Sequence, residues 1–160
     1  MTSGSASRGA PLAALLVLFL LAAPARSADV IGFWSCYDSC IGSVTSEMRR
    51  YLTQVNLFNF QTDGYGGLSS RYPFSSTTVS QIKSGSQLKV FMTIGGASAS
   101  SGFSGSVSPS YRTTFVNAIV STANELRVDG VDIDWEYPNT VGSDPENFVA
   151  FLRQLKSALG

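Results

Sequence analysis

The run Asp129-Gly130-Val131-Asp132-Ile133-Asp134-Trp135-Glu136-Tyr137-Pro138 decides how the rest of this chain is read. Apolar and acidic residues alternate in it, β-branched Val131 and Ile133 favour extended backbone, and Pro138 ends the pattern, so a strand over Val128 to Glu136 is predicted. On a strand, successive side chains point to opposite faces. Asp132, Asp134 and Glu136 therefore share one face, and Val131, Ile133 and Trp135 the other. Neighbours on one face are roughly 6.5–7 Å apart, close enough for carboxylates to repel, so at least one is expected to keep its proton near neutral pH. Such a pattern fits either a half-solvated strand or a site that needs a general acid. The surrounding elements favour the second.

Upstream, Leu88 to Ile94 is a nearly continuous apolar run, as expected of a strand buried on both faces of a parallel sheet. It ends in Gly95-Gly96, where the chain either turns or approaches another group closely. Two earlier runs, Val30 to Trp34 and Val55 to Phe60, read as strands one and two. Between the strands lie helical patterns: Thr45 to Leu52, Ser76 to Lys83 closed by Gly85, and a longer one from about Pro109 with Phe115, Ala118, Ile119 and Leu126 on one face. After the acidic strand, Asp144 as cap, Pro145 at the first helical position and the stripe Phe148, Leu152, Leu155, Leu159 predict a last helix. The Ser- and Gly-rich segment Ala97 to Ser110 is expected to be a long connection of the kind that carries binding residues. Asp63 to Gly67 reads as a surface loop, because it lacks the lysine and spacing of a phosphate cradle.

Strand and helix thus alternate four times, which implies α/β architecture with a parallel sheet. A doubly wound sheet and a (β/α)₈ barrel both fit the alternation. Three acids on one inward strand face suit a barrel, whose active site opens at the C-terminal ends of its strands. A complete barrel takes about 250 residues, so the stretch 28–160 corresponds to about the first four βα units.

Composition narrows the chemistry. Lysine plus arginine and aspartate plus glutamate each number 11, the formal net charge is zero and 14% of residues are charged, so a nucleic-acid partner is not expected. There is no histidine and there are only two cysteines, Cys36 and Cys40, too few for a zinc ligand set, so neither metal nor cofactor is expected. Residues 1–27 carry Arg8, the apolar run Leu12 to Ala23 and the small residues of Pro24-Ala25-Arg26-Ser27. This is the pattern of a secretory signal cleaved after Ser27, too short for a stable membrane span. Secretion is thus expected, with no membrane association after cleavage. In an oxidising setting Cys36 and Cys40 either pair or remain free thiols.

Asp129 to Glu136 resembles the Asp-x-x-Asp-x-Asp-x-Glu signature of glycoside hydrolase family 18, the chitinases and their relatives, and Tyr137-Pro138 resembles the fungal, bacterial and animal branch. Thr93-Ile94-Gly95-Gly96 is similar to the family's Ser-x-Gly-Gly motif, and Gly32-Phe33-Trp34 to its first-strand aromatic entry. The resemblance spans residues 30 to 160, the N-terminal half of the family's catalytic domain. It implies retaining hydrolysis of β-1,4-linked N-acetylglucosamine polymers such as chitin, with the substrate's acetamido oxygen attacking the anomeric carbon. Glu136 would then be the acid and base, Asp134 would hold the acetamido N–H, and Asp132, lying deeper, would hold a shared proton. Gly96, Tyr137, Phe33 and Trp34 would line the sugar site, although a core role suits each aromatic equally. Asp129, Gly130, Thr93 and Gly95 would be structural, with Thr93 Oγ1 bonding Asp132 and Asp129 bonding the loop at the start of its strand. Trp135 reads as packing. The family's strand-six Tyr and strand-eight Trp have no counterpart in this chain, which is expected to be part of a longer or truncated protein. A non-catalytic chitin-binding lectin and an inactive fragment are the alternatives; lectin-like relatives usually lose the terminal Glu, which is present as Glu136.

Overall fold

The computed structural model describes residues 28–35 and 46–160. Along the chain run β1 (Ile31–Ser35), α1 (Ser46–Tyr51), β2 (Gln54–Thr62), β3 (Leu68–Ser70), α2 (Ser76–Lys83), β4 (Lys89–Gly95), α3 (Phe103–Ser106), α4 (Arg112–Leu126), β5 (Gly130–Asp134) and α5 (Asp144–Leu159). The sheet order is β1-β2-β4-β5 with every neighbour parallel, and β3 pairs antiparallel with the end of β2. Four βα units in one parallel sheet make the partial barrel that the alternation allowed and the acidic strand face favoured. The signal-like residues 1–27 and both Cys36 and Cys40 lie outside the described residues.

Strand alternation divides the sheet into two unlike faces. Val55, Leu57, Phe60, Val90, Met92 and Ile94 point to the helix side, where they are buried with Val79 and Ile82 of α2, Phe115 and Ile119 of α4 and Phe151 of α5. Each fully buried side chain of this kind contributes about 1.5–3 kcal/mol, so this layer is what holds the strands together. Phe60 reaches that layer because the pairing of β2 with β4 skips Asn59: Phe58 faces Thr93 and Phe60 faces Ile94. A bulge of this sort inverts the alternation beyond it. The other face carries Phe33, Asn56, Phe58, Phe91, Thr93, Asp132 and Asp134, and Phe33 on it is 61% exposed.

Local signals set most boundaries. Ser75 caps α2, its Oγ accepting the Thr78 N–H at 3.2 Å while Thr78 Oγ1 accepts the Ser75 N–H at 3.3 Å. Four expectations are corrected. The loop after β2 is followed by a short hairpin strand, β3, and the connection from Ala97 to Ser110 contains the single-turn helix α3. In α5 the cap is Ser143 and Asp144 is the first helical residue, its carboxylate engaged elsewhere. The acidic strand is also shorter than its alternation implied, ending at Asp134.

Candidate active site

Parallel register between β4 and β5 sets Asp132 opposite Thr93 and Asp134 opposite Gly95. Asp132 Oδ2 accepts hydrogen bonds from Thr93 Oγ1 at 2.9 Å and from Asn56 Nδ2 at 3.0 Å. Asn56 is itself oriented, since its Oδ1 accepts from Gln54 Nε2 at 2.7 Å. Three strands therefore converge on one carboxylate. The bond from Thr93 to Asp132 that the resemblance implied is present.

One step up the strand, Gly95 and Gly96 have φ of 112° and 94°, and the Gly96 N–H donates to the Asp134 carbonyl at 2.7 Å. A Cβ on Gly95 would lie 2.0 Å from that carbonyl oxygen, and one on Gly96 would lie 2.6 Å from Phe58 Cζ and 3.6 Å from Asp134 Oδ2. Both glycines are thus required by close approach as well as by conformation. The Asp134 carboxyl is pushed upward from its ordinary range, first by burial and second by the charge of Asp132.

The ladder stops at Asp134, and the next residue, Trp135, is anchored on the helix side. Trp135 is 8% exposed, stacked on Phe103 at 5.1 Å and edge-on to Phe148 at 5.3 Å. Glu136 is half-buried, and its backbone N–H donates to Ser100 Oγ at 2.9 Å. The Glu136–Tyr137 peptide is cis and Tyr137 is 82% exposed. The segment beyond is tied down by Asp144, whose Oδ2 accepts from Ser104 Oγ at 2.6 Å and from the Asn139 N–H at 3.0 Å.

The remaining expected site residues separate by face. Phe33 lies on the acids' side, edge-on to Phe58 at 6.1 Å. Trp34, one residue on, packs against the helix-side core, away from the acids. Asp129 braces the strand start: Oδ1 pairs with Lys83 Nζ and Oδ2 accepts the Val90 N–H, both at 2.7 Å. Gly130 sits beneath the Phe91 ring, 2.6 Å from where a Cβ would stand. Sequence reasoning missed Asn56 and Ser100. An amide inside the apolar run of β2 was a usable signal for the first. Nothing distinguished Ser100 from the other serines of its connection. Among the described residues no group of His, Cys, Asp and Glu is arranged to hold a metal ion, and no helix is long and apolar enough to cross a membrane.

Parallel βα units with carboxylates where a strand ends suit the barrel type of glycoside hydrolase domain. Residues 30–160 match the model of glycosyl hydrolases family 18, and the chain belongs to that family. It is 30% identical over 158 residues to a chitinase-like effector of Moniliophthora roreri, covering 90% of this chain and 39% of that protein. Among solved structures it is similar to the chitinase domain of the spore coat protein CotE from Clostridium difficile, with a TM-score of 0.70 and 27% identity, covering 86% of this chain and 41% of that one. The fold is likewise that of the Ostrinia furnacalis Group IV chitinase in complex with allosamidin, with a TM-score of 0.69 and 23% identity, covering 82% of this chain and 40% of that one. The chain thus spans about two fifths of each of these three relatives.

Proposed function

We propose that this domain hydrolyses β-1,4 linkages between N-acetylglucosamine units of chitin or its oligosaccharides, with retention and with the substrate's acetamido group as nucleophile. The observation that carries this reading is the placement of Asp132 and Asp134 on one face at the C-terminal end of β5, with Glu136 two residues further along the chain. Glu136 gives its proton to the glycosidic oxygen as the bond to the anomeric carbon breaks, and the acetamido oxygen bonds to that carbon. Asp134 accepts the acetamido N–H and stabilises the resulting oxazolinium. Glu136, now a carboxylate, takes a proton from water as the water oxygen bonds to the anomeric carbon and the bond from the acetamido oxygen to that carbon breaks, which frees the acetamido group and restores the acid. The upward push on Asp134 by burial and by Asp132 supports a proton held between these two carboxyls before the acetamido group arrives. Phe33 and Tyr137, both exposed, offer ring faces to a sugar.

The test is hydrolysis of a fluorogenic N-acetylglucosamine oligomer by the Ala28–Gly160 protein and its Glu136→Gln variant, beside chitin-bead binding and a thermal melt. Loss of a general acid is expected to lower turnover by roughly 10²–10⁴-fold with binding retained. A variant within a few-fold of the wild type would remove Glu136 from this role. A second reading, chitin binding without turnover, is supported by the relative that covers 90% of the chain being a chitinase-like effector; it predicts bead binding by both proteins and hydrolysis by neither. Export belongs to the same proposal and is supported by the apolar run Leu12 to Ala23. Protein recovered from a culture medium should begin at Ala28, and retention of residues 1–27 would refute cleavage.

A further inference from the structure

Glu136 lies past the last paired residue of β5, so no neighbouring strand fixes its backbone. What does hold it is one buried hydroxyl. Ser100, 7% exposed, stands in the connection after β4. Its Oγ accepts the Glu136 N–H at 2.9 Å, and its O–H points at the Gly96 carbonyl at 3.0 Å and the Asp134 carbonyl at 3.2 Å. The same Asp134 carbonyl accepts the Gly96 N–H at 2.7 Å. A single side chain thus joins the backbone on both sides of Trp135 to the glycine turn that closes β4. From this geometry we infer that Ser100 is a positioning residue for Glu136, setting the height of its carboxyl above the Asp134 carboxyl. The inference rests on the hydrolytic reading for its consequence in turnover, but the hold itself does not.

The arrangement has a physical rationale. A residue after a strand's end loses its ladder partner, and an N–H left without one in a half-buried place is costly. Ser is short enough to reach the backbone from an adjacent loop, and its hydroxyl both donates and accepts. The acceptor side serves Glu136 while the donor side is satisfied by β4 and β5, so the two strands and the acid move as one unit.

The experiment compares the full chain with Ser100→Ala and Ser100→Cys, the second keeping the side chain's size with a weak hydrogen-bonding group; Ser98→Ala, exposed in the same connection, is the control. Amide hydrogen exchange at Glu136 should speed by roughly five- to tenfold in both Ser100 variants, while amides of β2 and β4 and the control stay unchanged. Turnover of the fluorogenic oligomer should fall between about ten- and a hundredfold in kcat with KM within about twofold, as misplacement of an acid predicts. If Ser100→Ala does not melt cooperatively, Ser100→Cys is read alone. Unchanged exchange at Glu136 would overturn the inference, and so would faster exchange with kcat within twofold of the wild type. A wild-type chain without turnover would instead sink the hydrolytic reading, and the exchange comparison would still decide whether Ser100 holds Glu136.

Discussion

Adding one methyl group at Gly95 should damage this protein more than the same change at any open glycine, and the structure says by how much. Gly95 has φ of 112°, and a Cβ there would stand 2.0 Å from the Asp134 carbonyl oxygen, 2.7 Å from its carbon and 3.1 Å from the Phe103 ring. Backbone strain at such a φ costs about 1–3 kcal/mol, and relieving the clash by pushing β5 from β4 adds about 1–3 kcal/mol. The displaced Gly96 N–H to Asp134 bond is worth about 1 kcal/mol more. Gly95→Ala should therefore lose roughly 3–7 kcal/mol. Gly85 supplies the internal control: its φ is 67° and nothing lies within 4 Å of a Cβ, so only the left-handed conformation is penalised, by about 1–2 kcal/mol. Urea unfolding followed by far-ultraviolet circular dichroism reads both. With a slope of about 2 kcal/mol/M, midpoints should fall by roughly 1.5–3.5 M for Gly95→Ala and by about 0.5–1 M for Gly85→Ala. Equal shifts would refute the claim that close approach of Asp134, and not φ alone, makes Gly95 a glycine.

Trp135→Ala should cost about 3–5 kcal/mol because it empties the stack between Phe103 and Phe148, and a loss under about 1 kcal/mol in a denaturant melt would contradict the anchoring role. Asp129→Ala should cost about 1–2 kcal/mol, mainly through the stranded Val90 N–H, whereas Lys83→Ala should cost under about 1 kcal/mol, the ion pair being partly exposed; comparable losses would contradict the claim that the Val90 bond outweighs the ion pair. The raised Asp134 carboxyl has a definite sign in stability. Between its ordinary value and its raised one the folded state binds more protons than the unfolded, so this group's contribution declines as pH rises through that window. Asp134→Asn should remove that decline, and parallel stability profiles for the two proteins across it would show that Asp134 is not the displaced group.

Local periodicity carried a large part of the architecture. The helix expected over Ser76 to Lys83 spans those residues, and the four strand patterns fall on β1, β2, β4 and β5. Alternation also assigned Asp132 and Asp134 to one face and Trp135 to the other, because the side-chain period of a strand is a property of its own backbone. The limits of that logic are visible at the bulge and at the strand ends. Skipping Asn59 needs the partner strand, and the hairpin strand β3 has only three residues, too few for a pattern. Phe33 and Trp34 were grouped by motif, although alternation itself sends them to opposite faces.

What the chain's own residues determined, then, is the βα repeat, the acidic face and the glycine turn, each written within a few consecutive positions. Tertiary structure alone decided who meets the acids. Asn56 reaches Asp132 across 76 positions, and Ser100 reaches the Glu136 N–H across 36. Such contacts depend on strand order, register and the path of a loop, and a hydroxyl or an amide looks the same in sequence whether it faces solvent or a carboxylate. Burial acts in the same way: the proton affinity of Asp134 rises because the folded sheet takes water from it and sets Asp132 on the same face, and neither condition exists in the unfolded chain.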